Sequence, residues 1–199
     1  MRVFRFLILG LMALTLAGCG INNIPTYDQA MKGKWGQVQN EYQRRADLVP
    51  NLVETVKGYA AQEKDVLTAV TEARSRATSI QLSPEIVNNP EEFAKYQAAQ
   101  GQLSQALGKL LSITENYPDL KSNANFLALQ SQLEGTENRI TVARKDYIDA
   151  VQTYNTELVT FPGRLWASTM YSSYKPAASF SADVGDEKAP KVDFNKPKT

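Results

Sequence analysis

Histidine is absent from the 199 residues, and cysteine occurs once. Without an imidazole the chain cannot assemble a Ser-His-Asp or Cys-His catalytic set, a zinc site with histidine ligands, or a di-iron bundle on Glu-x-x-His pairs. A lone thiol makes no intramolecular disulfide. Neither sign of charge dominates: 22 Lys and Arg stand against 21 Asp and Glu, for a net charge of +1. The cationic excess on which phosphate-backbone affinity depends is missing, so no nucleic-acid partner is expected. The apolar run from Phe6 to Leu16 is eleven residues long, where a helix needs roughly 20 to cross the hydrocarbon core.

That run has a different use. Arg2 and Arg5 precede it and Leu16-Ala17-Gly18-Cys19 follows it, which is the charged, apolar, small-residue order of an export signal. The last four residues match the bacterial lipobox, in which the cysteine thiol is acylated and the peptide before it is removed. Residues 1–18 are therefore expected to be a lipoprotein signal peptide, and Cys19 the lipidation site that holds the protein on the extracytoplasmic side of a membrane, with two acyl chains enough for stable anchoring. Loss of Arg2 and Arg5 with the signal turns the net charge to −1, so adhesion to anionic lipid does not supply the anchoring. Residues 19–26 read as a lipidated tether, and its seven residues after Cys19 reach at most about 25 Å.

The body, residues 27–174, reads as long helices. From Tyr27 to Ile80 one heptad set is Trp35, Tyr42, Val49, Val56, Glu63, Val70, Ala77 and its companion is Met31, Val38, Arg45, Leu52, Tyr59, Val66, Ala73, Ile80; only Arg45 and Glu63 are charged. Such a period predicts a helix that packs in a coiled-coil-like manner. Pro50 falls inside it and predicts a kink near Ala46–Pro50, or else a fold-back there. After a connection over Gln81–Asn89, Asn89 as cap, Pro90 at the first position and Glu91 and Glu92 in the first turn open a second helix. Its seam is Phe93, Tyr96, Gln100, Leu103, Leu107, Leu110, and it ends at Tyr117-Pro118-Asp119. A third helix from about Asp119 to Phe161 carries Phe126, Leu133, Ile140, Tyr147, Tyr154, Phe161 at seven-residue intervals. Pro162-Gly163 stops it, and Arg164–Tyr174 suits a short closing helix. Residues 175–199 hold too little apolar surface to bury and predict a disordered tail. The fold class is all-α, an elongated antiparallel bundle of about four helices.

Helix lengths leave one question open. At about 1.5 Å per residue the three helices are roughly 80, 40 and 64 Å long, and the second cannot cover the first. Either Tyr27–Leu48 folds back at Pro50, or the seam of Met31, Trp35, Val38 and Tyr42 stays partly bare and forms a partner surface, for another protein or a second copy.

Several blocks resemble the LemA family of bacterial membrane-associated proteins: Gln43-Arg44-Arg45-Ala46-Asp47-Leu48-Val49-Pro50 and its continuation to Tyr59, Glu72-Ala73-Arg74-Ser75, Glu115-Asn116-Tyr117-Pro118-Asp119-Leu120-Lys121, and Thr136-Glu137-Asn138-Arg139-Ile140 with Ala143-Arg144. The resemblance spans roughly residues 27 to 162. It implies an elongated antiparallel bundle of about four helices held at a membrane by its amino terminus, without an established enzymatic activity. Many members carry a transmembrane segment where this chain has a lipobox, Tyr147-Ile148 replaces a usual aromatic-Asn pair, and the tail after Tyr174 has no evident counterpart.

Arg44, Arg45 and Asp47 beside Pro50 suit either a surface for a carboxylate partner or an ion pair that fixes helix register; the second is favoured because Arg45 lies on the buried seam. Glu63 invites the same reading. Glu134, Glu137, Arg139 and Arg144 are spaced for interhelical pairs with Arg74 and Arg76 opposite. A hard-cation site on Glu115, Glu134 and Glu137 lacks any sign of convergence, and Glu134 with Glu137 as acid and base lacks a nucleophile or oxyanion device. Trp35, Tyr42, Tyr59, Tyr147 and Tyr154 read as core before ligand groove. No cofactor is expected. The reading is a membrane-anchored, non-enzymatic scaffold or accessory protein of an envelope process; the alternative is a carrier or sensor of a small amphipathic ligand between the helices.

Overall fold

A computed structural model describes residues 20–80 and 84–181. Cys19 and the signal before it lie outside the described residues, as does the chain after Ser181. The described residues hold six helices and no strand: α1 (Asn23–Lys57), α2 (Lys64–Ser79), α3 (Pro90–Thr114), α4 (Pro118–Lys121), α5 (Ala124–Val159) and α6 (Gly163–Thr169), with a 3-10 turn at Pro84–Asn88 between α2 and α3.

The long antiparallel pair α1 and α5 sets the length of the molecule. They have 35 and 36 residues, about 53 Å each. Their register is visible in paired side chains. Asn23 donates to Glu157, Lys34 eleven residues on meets Asp146 eleven residues back, and Glu41 meets Arg139 after seven more in each direction. Apart from Ala46, the buried positions on α1 fall at Ile24, Asp28, Met31, Trp35, Val38, Tyr42, Arg45, Val49, Leu52 and Val56, the alternating three-and-four spacing of a coiled-coil seam.

The open question of lengths is settled away from Pro50. Helix α1 runs through the proline without folding back, and the chain reverses at Gly58–Glu63 instead. The heptad pattern hides this break because it resumes in phase on α2. Glu63, expected on the seam, sits in the turn, where its carboxylate accepts from the Tyr117 hydroxyl at 2.7 Å. Tyr59, also expected inside, is exposed and its hydroxyl accepts from Asn123 Nδ2 at 2.8 Å.

Helix α2 lies antiparallel on the second half of α1, and α3 returns along α2. The first half of α1 is covered by α5, by the start of α3 and by an extended segment after α6. Trp35 marks that junction: its ring lies 5.4 Å from Phe93, 5.6 Å from Tyr96, 5.3 Å from Tyr147 and 6.2 Å from Phe180. The expected bare seam is therefore buried within one chain, with Met31, Trp35, Val38 and Tyr42 between 0% and 4% exposed. No partner surface exists there.

The covering segment also moves the boundary of the tail. Lys175 and Ala178 carbonyls accept from the hydroxyls of Tyr154 and Tyr147, Asn155 pairs with both backbone groups of Ala177, and the Ser181 carbonyl accepts from Gln97. Buried tyrosine hydroxyls need acceptors, and the carbonyls of this stretch supply them. At the other boundary α1 starts at Asn23, inside the expected tether, with Ile24 fully buried.

Helix α5 starts later than expected, capped by Asn123 accepting from the amides of Asn125 and Phe126. It ends at Val159, so Phe161, expected in the core, is 85% exposed.

Candidate functional site

Two apolar cores fill the bundle. One gathers Ile24, Met31, Trp35, Tyr96, Tyr147 and Phe180; the other gathers Val49, Leu52, Val70, Leu107, Phe126 and Leu133. A polar layer divides them, centred on Arg45, which is 1% exposed. Its Nη1 donates to Ser104 Oγ at 2.6 Å and Glu137 Oε1 at 3.0 Å; its Nη2 donates to Gln100 Oε1 at 2.6 Å and the Gln100 carbonyl at 3.2 Å. The guanidinium also lies 5.0 Å from the Tyr42 ring centre. Gln100 in turn donates to the Ala77 carbonyl. One cation thus ties α1 to α3, α5 and, through Gln100, to α2. A buried guanidinium needs this many acceptors because desolvating it otherwise costs several kcal/mol, about the scale known for buried ions.

Glu137 is less enclosed, with 41% of its side chain exposed, so the pair has one foot in solvent. It lines a small cavity of about 100 Å³ with Gln97, Gln100, Ser104 and Arg144. Below it the gap between α3 and α5 widens into an open groove of about 500 Å³, walled by Leu107, Leu111 and Leu133 with Ser104 and Glu137 at its polar end.

Pro50 has its own partner. A proline inside a helix has no amide to give the carbonyl four residues back, and here that carbonyl belongs to Ala46. Arg74 Nε of α2 donates to it at 2.7 Å. The orphan left by Pro50 is filled from the neighbouring helix, and α1 passes on unbroken.

A model of the family described as LemA family matches residues 34–194. The chain belongs to the LemA family. Among similar curated proteins are the magnetosome proteins MamQ 1 and MamQ 2 of Paramagnetospirillum magneticum, each 26% identical over 157 residues, 71% of this chain and 58% of the relative. Protein LemA of Metamycoplasma hominis is 26% identical over 121 residues, 61% of this chain and 51% of the relative. The chain thus spans little more than half the length of these relatives. The family match runs past Tyr174 to residue 194, so the tail that lacked a counterpart on sequence reading belongs to the LemA pattern.

The LemA motif residues do not converge on one cleft. Arg45 and Glu137 meet, and Pro50 and Arg74 meet through the Ala46 carbonyl. Arg44 is exposed, while Asp47 accepts from Gln43 one turn back. Tyr117 joins the turn before α4 to the turn after α1, donating to Glu63 and accepting from Gln62, and Pro118 opens α4. Arg139 donates to Glu41 and to Thr136. Arg144 lies over the Phe180 ring at 4.4 Å. Arg74 and Arg76 were expected opposite Glu134, Glu137, Arg139 and Arg144, but α2 does not pack on α5. Arg76 instead reaches Gln102 and Glu72, and Glu134 accepts from Gln130.

Glu115, Glu134 and Glu137 stay apart, and among the described residues no group of three acidic, cysteine or histidine side chains is placed to hold a metal ion. The perturbed titrating groups of the interior are phenols: burial raises Tyr96 and Tyr147 above the ordinary tyrosine range and pushes Tyr154 up to about 12. All three stay neutral at physiological pH; Tyr147 and Tyr154 donate to the Ala178 and Lys175 carbonyls, while Tyr96 packs edge-on against Trp35 and Tyr42. The covering contribution of Phe180 and Ala177 was missed in the sequence; the signal was an isolated Phe and small residues six after Tyr174, too sparse to register as periodic.

Proposed function

We propose that this LemA-family chain is a lipoprotein anchored on the extracytoplasmic side of a membrane, in the inner or outer membrane where the source has two, and that it works as a non-enzymatic scaffold or accessory protein of an envelope process. The observation that carries the reading is the lipobox cysteine, Cys19, one residue before the folded body and four before α1. A rod about 53 Å long is then held at one end by acyl chains. Consistent with a scaffold, the buried ionic group Arg45 is spent on joining helices, and no described group of residues combines a nucleophile, a base and an oxyanion device.

A partner must dock on exposed surface, and the groove between α3 and α5 offers apolar walls beside polar residues. The same groove favours the second reading, a carrier of a small amphipathic ligand. A photoreactive residue at Gly108, whose added side chain meets open space, separates the two in intact cells. A discrete foreign protein captured from position 108, and not from Ser75 on α2, supports the scaffold; a lipid or small-molecule adduct supports the carrier; no adduct from the groove overturns both.

A further inference from the structure

Large apolar side chains are unevenly spread over the surface. Eight are exposed among the described residues, and four of them lie within one short stretch: Val159 at 65%, Phe161 at 85%, Leu165 at 49% and Met170 at 60%. Scattered exposed apolar residues need no explanation, but a cluster marks contact with something apolar.

The chain's amino-terminal entry lies at this same end. Gly20 adopts a positive φ of 92°, and a side chain at that position would touch the Pro162 ring. The Gly20 carbonyl accepts from the Asn23 amide, and Asn23 Nδ2 donates to Glu157 at the end of α5. Residue 20 is thereby fixed against the turn that presents Phe161. Cys19 is one peptide unit away, about 3.8 Å between α-carbons.

Charge follows the same division. Neither Gly20–Tyr27 nor residues 158–181 contain an acidic residue, while Arg164 and Lys175 are exposed there. The carboxylates that flank these stretches in sequence have partners, Asp28 in Lys32 and Glu157, which lies beside Gly163, in the side-chain amide of Asn23. Trp166, Tyr171 and Tyr174 are half-buried along this end, with Tyr171 and Tyr174 packed edge to face. Exposed apolar tips, amphipathic aromatics and exposed cations beside carboxylates that are already hydrogen-bonded form the composition that settles at a headgroup boundary.

We infer that the α5–α6 turn and α6 form a second membrane contact, in which Phe161, Leu165 and Met170 enter the headgroup region of the bilayer that holds Cys19. This rests on the lipoprotein reading above. The occupant is lipid rather than a protein because Gly20 packs against Pro162 of this turn, which places the turn beside the bilayer that a lipidated Cys19 enters, and two contact points fix the rod's angle to the membrane where a single flexible anchor would not.

The test uses the full chain, purified from membranes and reconstituted in vesicles of phosphatidylethanolamine and phosphatidylglycerol. Phe161→Cys and Leu165→Cys each receive a polarity-sensitive fluorophore, and Asp119→Cys at the opposite end serves as control. The inference expects blue-shifted emission at 161 and 165, quenched by nitroxide-labelled lipid and shielded from aqueous iodide, with the reverse at 119. Emission at 161 and 165 matching that at 119 overturns it, and so does a blue shift insensitive to lipid-borne nitroxide, which assigns the surface to a protein partner or a second copy. The unsubstituted chain keeps the two readings distinct: uptake of the label by it exposes a free Cys19 thiol and refutes the tether itself.

Discussion

Arg74 should matter for stability chiefly because Pro50 is there. In the natural chain Arg74→Met leaves the Ala46 carbonyl without its 2.7 Å donor, inside a helix where position 50 has no amide. Stranding a largely buried carbonyl costs about 1–3 kcal/mol, and Arg74 is half-buried, so about 2 kcal/mol is expected. In a Pro50→Ala background the new amide at position 50 reaches the same carbonyl. Arg74→Met then removes only a supplementary bond, for about 0.5–1 kcal/mol, and the two positions couple by about 1 kcal/mol. Pro50→Ala alone should stabilise, by less than the roughly 3 kcal/mol separating proline from alanine in a helix interior, since Arg74 already offsets part of that cost. Urea unfolding followed by far-ultraviolet circular dichroism reads all four corners of the cycle. Thermal melts check it, at about 2–4 °C per kcal/mol for a domain of this size. Equal losses from Arg74→Met in both backgrounds would refute the capping role and reduce Arg74 to a packing residue.

Three further outcomes follow from the same geometry. Glu137→Ala removes the counter-charge of the buried guanidinium but leaves Ser104 and Gln100 accepting from it, and should cost about 1 kcal/mol, whereas Arg45→Met leaves the buried Gln100 oxygens without their donor, for about 2 kcal/mol; urea midpoints that rank them the other way would contradict the polar layer as described. Because burial raises Tyr96, Tyr147 and Tyr154, the folded state binds more protons than the unfolded one above the ordinary tyrosine pKa of about 10, so stability should fall as pH rises from there through the folded value of about 12 for Tyr154. Helicity should be lost together with a cooperative rise in tyrosinate absorbance, and Tyr154→Phe should delay the loss; separate, non-cooperative titration of phenols with helicity intact would contradict this. Gly163→Ala would drive a β-carbon into the Glu157 carbonyl, and should cost about 1–3 kcal/mol, read as faster amide exchange over Gly163–Thr169.

Much of the bundle was legible because helix seams and caps are local. The Asn89 cap with Pro90, the seam of α1 and the core of α5 from Phe126 to Tyr154 all stand in short-range spacing. The chain reversal was not. Pro50 is the residue that chain stereochemistry flags, yet its orphan carbonyl is rescued by a side chain 28 residues away, while the true break at Gly58 is masked by a heptad phase that survives the turn. Counting helices alone left the seam of Met31, Trp35, Val38 and Tyr42 either folded back at Pro50 or partly bare, and an extended segment that no periodicity marks covers it instead. At the polar layer, Arg45 announced itself as a charge on an apolar seam, but its acceptors Gln100, Ser104 and Glu137 come from two other helices and no local pattern names them. The Phe161 end was misread for a related reason: the seven-residue interval runs one step past the point where Pro162 ends the helix.

The most direct test of the account is the state of the amino terminus. Protein purified from membranes, digested and examined by mass spectrometry should yield a first peptide that begins at Cys19 and carries a diacylglyceryl group, and Cys19→Ser should release the protein from the membrane fraction. A first peptide that begins at Met1, or an unmodified Cys19 in protein that still sediments with membranes, would contradict it.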